Sequence, residues 1–183
     1  MRSCWNIGSE TRMTFDNTNK RDILIMVNFP NIDKIKEIQK KYYDIADKID
    51  PHIAVAFPFD SEISDEELYE KLCKVVEKYK PFKITCHGVS TPVGESHYRF
   101  LDVVENRDII KSMSDDIYTN IIPEHLEHRD KHNYVPHISL ANLPLDKEIE
   151  LDDTFEMIVD SLYVERIGSN DESIKLYDID IRR

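Results

Sequence analysis

Cysteine is scarce in this sequence, and long hydrophobic runs are missing. The three cysteines, Cys4, Cys73 and Cys86, lie far apart and form no C-x-x-C pair, which argues against a disulfide framework and against a cysteine zinc site. The longest apolar run, residues 23–27, is far too short to span a bilayer. No apolar stretch of the kind found in secretory signals follows Arg2. We therefore expect no membrane association and a location in the reducing cytoplasm.

Positive charge is in the minority. The 183 residues carry 24 lysines and arginines against 36 aspartates and glutamates, a formal net charge of -12. Such a surface repels a polyanion and argues against a long nucleic acid held by charge, whereas a small anionic substrate in a shielded pocket is compatible with it. The length suits one compact domain with its own core. We assign residues 21–183 to that domain and residues 1–20 to an N-terminal extension.

Apolar periodicity divides the chain into interleaved strands and helices. Alternating or continuous apolar segments predict strands, at residues 23–29, 52–59, 82–88, 98–104, 137–143, 155–166 and 174–181. Three- and four-residue spacing predicts three helices, at 32–49 with Asn31 as cap, at 65–79 with Ser64 as cap, and from Asn106 to before Pro123. Residues 124–134 are expected to form a loop or a frayed helix end. The interleaving indicates an α/β or α+β class.

A short repeat stands out from this background. The segments Pro51–Ala56 and Pro136–Ala141 match at Pro, His, Ile and the last Ala, and they lie nearly half the chain apart. Each segment opens a predicted strand, so the chain looks like two related halves.

Strand geometry places the polar residues of the repeat on one face. Residues i and i+2 of a strand share a face, roughly 6.5–7 Å apart, so His52 lies beside Ala54, and His137 beside Ser139. Two pseudo-symmetric half-sheets would bring both histidines into one groove. A histidine pair suits acid–base catalysis near neutral pH, because the unperturbed pKa of histidine is about 6.5.

These two motifs resemble those of the two-histidine phosphoesterase superfamily, also known as the 2'-5' RNA ligase-like or cyclic phosphodiesterase family. The resemblance covers residues 21–183. It implies an α+β bilobal fold, with two pseudo-symmetric βαβ-type lobes and antiparallel sheets around a central cleft. It also implies cleavage of 2',3'- or 1'',2''-cyclic phosphodiesters, or of 2'-5' linkages, without a metal or other cofactor. His52 and His137 would then be the catalytic acid–base pair, and Ser139 a phosphate-binding hydroxyl.

The sequence departs from the family pattern at Ala54, where the family normally has Thr or Ser. A methyl group cannot donate a hydrogen bond to a phosphate oxygen, and such a bond to a charged group is worth roughly 1.5–3 kcal/mol. Three further residues are candidates for the pocket. Phe59 and Tyr98 could approach the base, and Arg129 could supply positive charge to a phosphate. Core packing or a solvated surface is the competing interpretation for each of these three.

Two other functions stay open at this point. The histidines at 125, 128, 132 and 137 could instead form a metal-dependent hydrolase, because three- and four-residue spacing puts ligands on one helical face. Pro136 argues against this alternative, since it breaks any helix before His137. The chain could also be a catalytically weak relative that binds nucleotides or RNA ends, which Ala54 would favour. The expected partner is a small cyclic phosphodiester or a short RNA, and we expect a monomer.

Overall fold

The computed structural model describes residues 19–92, 97–131 and 133–181. His132 and nearly all of the expected N-terminal extension lie outside these ranges. The strands are β1 Lys20–Met26, β2 His52–Asp60, β3 Phe82–Ser90, β4 Tyr98–Glu105, β5 His137–Asn142, β6 Phe155–Val159, β7 Ser161–Ile167 and β8 Ser173–Asp180. The helices are α1 Asp33–Tyr42, α2 Asp65–Val76, α3 Arg107–Asn120 and α4 Leu126–Lys131, with a 3-10 turn at Pro123–His125 before α4.

The strands form one antiparallel sheet that curls into a half-barrel. Its order is β6-β3-β4-β5-β2-β1-β7-β8, so β6 lies at one end and β7 next to the other. Only Asp160 separates these two strands in the chain. One residue spans at most about 3.6 Å, so the sheet must curl until its two ends approach each other. The prediction of a single strand over residues 155–166 is therefore wrong, because the chain turns a corner at Asp160.

The strand order divides into two matching halves that meet between β5 and β2. Outward from this junction, one half is β2-β1-β7-β8 and the other is β5-β4-β3-β6. Within the halves, α1 joins β1 to β2 and α3 joins β4 to β5. The second strand of each such pair carries a histidine motif. The prediction of an α+β fold with two related, antiparallel halves is confirmed.

The helices cover one face of the sheet. Ile53, Val55, Ile138 and Leu140, which were expected to face the helices, are fully buried. They belong to the hydrophobic core that the helices complete. The first two alternate positions of β2 and of β5 are only half-buried and lie on the opposite face. We call this opposite face the cleft face; it carries His52, Ala54, His137 and Ser139.

Two helix predictions need correction and one is confirmed. The first helix ends at Tyr42 rather than near residue 49, since Tyr43 adopts an extended conformation. Asn31 does not cap that helix; its side-chain amide donates to the carbonyl of Thr154 at 3.4 Å instead. The Ser64 cap is confirmed, because its hydroxyl accepts a hydrogen bond from a backbone amide of the first turn at 3.1 Å.

Within the described part of the chain, no helix combines the length and the apolar character that crossing a membrane requires.

Candidate active site at the junction of the two half-sheets

The two motif strands are neighbours at the centre of the sheet. Ile53 of β2 pairs with Ile138 of β5 in antiparallel register. Extending this register by one residue in each direction places His52 across from Ser139, and Ala54 across from His137. The two histidines therefore occupy one diagonal of a four-residue square. Diagonal neighbours of this kind lie roughly 7–8 Å apart, a separation that suits two groups acting on one phosphate.

Each imidazole is fastened to the backbone of its own strand in the same way. Nδ1 of His52 donates to the carbonyl of Asp50 at 2.9 Å, and Nδ1 of His137 donates to the carbonyl of Val135 at 2.6 Å. In both cases the acceptor lies two residues upstream, with a proline between. Because a carbonyl can only accept, the bond places the proton on Nδ1 in the neutral ring. Proton exchange with a ligand then falls to Nε2, at the other edge of each ring.

The strands that flank the motifs give the two histidines different surroundings. Met26 of β1 is the register partner of His52, whereas Asp102 of β4 is the register partner of His137. The ring of Phe100 also stacks on His137, with centroids 3.5 Å apart and planes 16° apart. On the other side, burial lowers the pKa of His52. The backbone is pseudo-symmetric, but the chemistry around it is not.

Beyond the bridge between Ile53 and Ile138, side chains satisfy the motif carbonyls. The hydroxyl of Tyr134 donates to the carbonyl of Ala54 at 2.7 Å. The amide of Gln39, from α1, donates to the carbonyl of Ser139 at 2.7 Å. These two acceptors are equivalent positions of the repeat. The two bonds hold the motif strands where direct strand pairing is sparse.

Ser139 and Tyr98 both lie on the cleft side of the sheet. Burial raises the pKa of the neighbouring Tyr43, and the Ser139 side chain acts in the opposite direction. Tyr98 is 37% exposed, and its ring centroid is 6.2 Å from that of Phe100. Sequence periodicity places Tyr43 within the first predicted helix and therefore gives no sign of its position beside Ser139.

Phe59 and Arg129 do not reach the cleft. Phe59 is 2% exposed and belongs to the core, where its ring contacts His125 at a centroid distance of 5.9 Å. Arg129 is 6% exposed and forms ion pairs with Asp115 and Asp130. Its charge is therefore already compensated by these two aspartates.

Arg129 has a structural role near the site. Its guanidinium lies between Tyr118 and Tyr134, with its central carbon 5.5 Å and 5.3 Å from the two ring centroids. Tyr134 donates to the carbonyl of Ala54, and the hydroxyl of Tyr118 accepts from the amide of Phe57 at 3.1 Å. Arg129 thus supports two tyrosines that fix β2, instead of contacting a ligand in the cleft.

A buried acid pair occupies the β1–β7 part of the cleft face. Asp22 and Glu165 are register partners and are 6% and 2% exposed. Asp22 shares its face with Leu24, the register partner of Ala54, because residues i and i+2 of a strand face the same way. Burial and the neighbouring Glu165 raise the pKa of Asp22 to about 8, so the pair holds a shared proton at neutral pH.

The histidines of the metal alternative do not converge. Nε2 of His125 bonds to the carbonyl of Asp60 at 2.8 Å, and His128 lies exposed on α4. His137 stacks on Phe100 at the cleft. Over residues 19–92, 97–131 and 133–181, no three His, Cys, Asp or Glu side chains are grouped to hold a metal ion.

Several solved structures of other proteins share this fold. A crystal structure of E. coli LigT complexed with NADP+ is similar with a TM-score of 0.59 and 14% identity, covering 90% of this chain and 99% of that one. The protein TT0787 of Thermus thermophilus is similar with a TM-score of 0.59 and 13% identity, covering 89% and 98%. A structure described as a phosphoesterase is similar with a TM-score of 0.57 and 12% identity, covering 91% and 100%. Among curated proteins, none matches the sequence.

A curled sheet with a histidine motif on each central strand defines a protein of the two-histidine phosphoesterase class. The family model for the 2'-5' RNA ligase superfamily matches residues 28–172. The chain belongs to that superfamily.

Proposed function

We propose that this protein is a phosphodiesterase that hydrolyses a cyclic phosphodiester, of the 2',3'- or 1'',2''-cyclic type, or a 2'-5' linkage. The observation that carries the proposal is the diagonal placement of His52 and His137 on one face. Each ring is fastened through Nδ1, so that proton exchange falls to Nε2 on both sides of the same small space.

The reaction needs two proton transfers and no change of oxidation state. One neutral histidine takes a proton from water as the water oxygen attacks phosphorus. The bond from phosphorus to the leaving ribose oxygen breaks, and the other histidine, protonated, gives that oxygen a proton. The product is a phosphate monoester with a free hydroxyl. Exchange with solvent then returns each histidine to its starting state.

Phosphate binding in this proposal is one-sided. The Ser139 hydroxyl stands across from His52, whereas Ala54 offers only a methyl group across from His137. Tyr43, next to Ser139, adds a second hydroxyl on the same side. The rings of Tyr98 and Phe100 offer apolar faces on which a base could stack.

The net charge of -12 favours a small substrate over a long polyanion. Crystal structures of the similar E. coli LigT contain ATP, NADP+, 3'-AMP or phosphate, which supports a ligand on the scale of one or two nucleotides. We propose that the protein acts as a monomer in the cytoplasm, without a metal cofactor.

A second candidate is a relative that binds nucleotides or RNA ends with little turnover. Ala54 is the observation that favours it, because the loss of one bond to a charged oxygen weakens the hold on phosphate by roughly 1.5–3 kcal/mol.

A turnover screen separates the candidates. Purified protein is incubated with 2',3'-cyclic nucleotides, a 1'',2''-cyclic phosphate and 2'-5'-linked dinucleotides, with and without EDTA. Turnover that EDTA leaves unchanged supports the proposal. Tight binding without turnover would favour the binding relative, and turnover abolished by EDTA would favour the metal-dependent hydrolase.

A further inference from the structure

We propose that Asp102 and Phe100 are positioning residues that make His137 the proton donor of the pair and leave His52 as the proton acceptor. The inference rests on the proposed function and deepens it, because it assigns the two proton transfers to particular residues. It comes from comparing equivalent neighbours of the two histidines across the pseudo-symmetric halves.

The neighbours of His52 are apolar. Its register partner on β1 is Met26, and the next residue on the cleft face of that strand, Leu24, is the register partner of Ala54. Leu24 is fully buried. An apolar, partly desolvated setting disfavours the charged imidazolium. His52 therefore favours the neutral form, which can accept a proton from water.

The neighbours of His137, in contrast, are a carboxylate and an aromatic ring. Asp102 takes the place of Met26, and Phe100 takes the place of Leu24 as the register partner of Ser139. Directly opposed residues of an antiparallel pair have Cβ atoms about 4.5–5.5 Å apart, close enough for the carboxylate to stabilise a positive charge. The face of Phe100, stacked on His137, is attractive to a cation as well.

Asp102 is held in place by its other neighbour. The Ser90 hydroxyl on β3 donates to its carboxylate at 2.7 Å. Burial and the charge of Asp102 raise the pKa of the Cys86 thiol, on the same strand as Ser90, to about 12. The thiol therefore carries no competing charge.

Two other carboxylates on neighbouring strands are already compensated by a lysine. Glu105 and Glu156 are both ion-paired with Lys83, at 3.6 Å and 2.7 Å. His52 is the diagonal neighbour of His137, and Tyr43 lies near Ser139. A positive His137 discourages a second positive charge on His52, which reinforces the division of roles.

The direct test is NMR titration of the individual histidine rings in the full-length protein without ligand. We expect His137 to take up its proton at a higher pH than His52. Asp102→Asn, which keeps an acceptor for Ser90, should lower the midpoint of His137 by about 0.5–1 pH unit and leave that of His52 nearly unchanged. Asp102→Glu should restore most of the difference.

A matched control and a second variant complete the titration. Glu105→Gln removes a carboxylate from the same strand, three residues further along, and should not move the midpoint of His137. Phe100→Leu should lower that midpoint, because it removes the stacked ring. Equal midpoints for the two histidines, or a His137 midpoint that ignores Asp102→Asn, would overturn the inference even if the enzyme is active.

The kinetic test changes the leaving group. A phosphodiester that releases p-nitrophenolate needs little help from an acid. If His137 is the donor, His137→Ala should lose about 10²–10⁴-fold on a cyclic nucleotide but less than tenfold on the nitrophenyl ester, while His52→Ala should be impaired on both. The reverse pattern would refute the assignment. A wild-type protein inactive on every substrate would refute the proposed function instead, and the NMR result would still decide how the protons are distributed.

Discussion

Replacing Asp22 by asparagine should stabilise the protein at alkaline pH and not at acidic pH. Burial and the neighbouring Glu165 raise the pKa of Asp22 in the folded state from 3.8 to about 8. The folded protein therefore binds more protons than the unfolded chain between these two values. The contribution of Asp22 to the free energy of unfolding is fully present below about pH 4 and is lost as the pH rises toward 8. Asparagine carries no proton to lose, so the variant escapes this decline.

The structure sets a ceiling on the size of the effect. A difference of about four pH units corresponds to about 6 kcal/mol, at about 1.4 kcal/mol per unit. Glu165 shares the proton, and the new amide must itself find hydrogen bonds in a buried place. We therefore expect Asp22→Asn to gain about 1–3 kcal/mol at pH 9. For a chain of this length, each kcal/mol moves Tm by about 2–4 °C.

Thermal unfolding followed by circular dichroism between pH 4 and 9 measures the effect. The quantity of interest is Tm of the variant minus Tm of the wild type at each pH. It should rise with pH through the window from about 4 to 8. Asp180→Asn, which removes an exposed carboxylate at the end of β8, should give a flat difference. If the Asp22→Asn difference is also flat, or falls with pH, the acid pair does not share a proton in the way described.

Three further substitutions test the site and the contact that supports it. Ala54→Thr should raise kcat/KM on a cyclic phosphodiester about tenfold if the new hydroxyl gains a bond worth roughly 1.5 kcal/mol. Ser139→Ala should lower kcat/KM by a similar factor. If neither substitution changes kcat/KM, phosphate does not bind between these strands. Tyr134→Phe should lower the free energy of unfolding by about 0.5–1.5 kcal/mol, because the half-buried carbonyl of Ala54 loses a hydrogen-bond donor. Denaturant unfolding measures that loss, and an unchanged midpoint would show that the carbonyl is satisfied without Tyr134.

The elements that the sequence predicts well are those whose signal is local. Neighbouring residues alone predict the apolar strands β1, β2 and β5 and the serine cap of α2. The structure contains these elements, with ends shifted by at most three residues. The break at Asp160 has no such signal. It exists because β6 pairs with β3 while β7 pairs with β1, and pairing of that range is not visible in a window of a few residues.

The same distinction between local signals and long-range pairing applies to the residues of the site. The motif residues could be placed on one face from strand periodicity alone, because that periodicity is fixed by the backbone. The burial of Arg129 could not be foreseen, since its partner Asp115 comes from a different helix. The contrast between Met26 and Asp102 depends on the registers of β1 and β4, which the repeat does not encode. Local patterns therefore found the two histidines, and tertiary pairing supplied what distinguishes them.

The central claim is that His52 and His137 together catalyse hydrolysis of a small phosphodiester. Its most direct test is kcat/KM on a 2',3'-cyclic nucleotide in EDTA, for the wild type, His52→Ala and His137→Ala, with His128→Ala as a matched control on the exposed surface of α4. We predict measurable turnover by the wild type and the control. Each site variant should lose about 10²–10⁴-fold, the usual size of general acid–base catalysis. Full activity in either site variant would contradict the account.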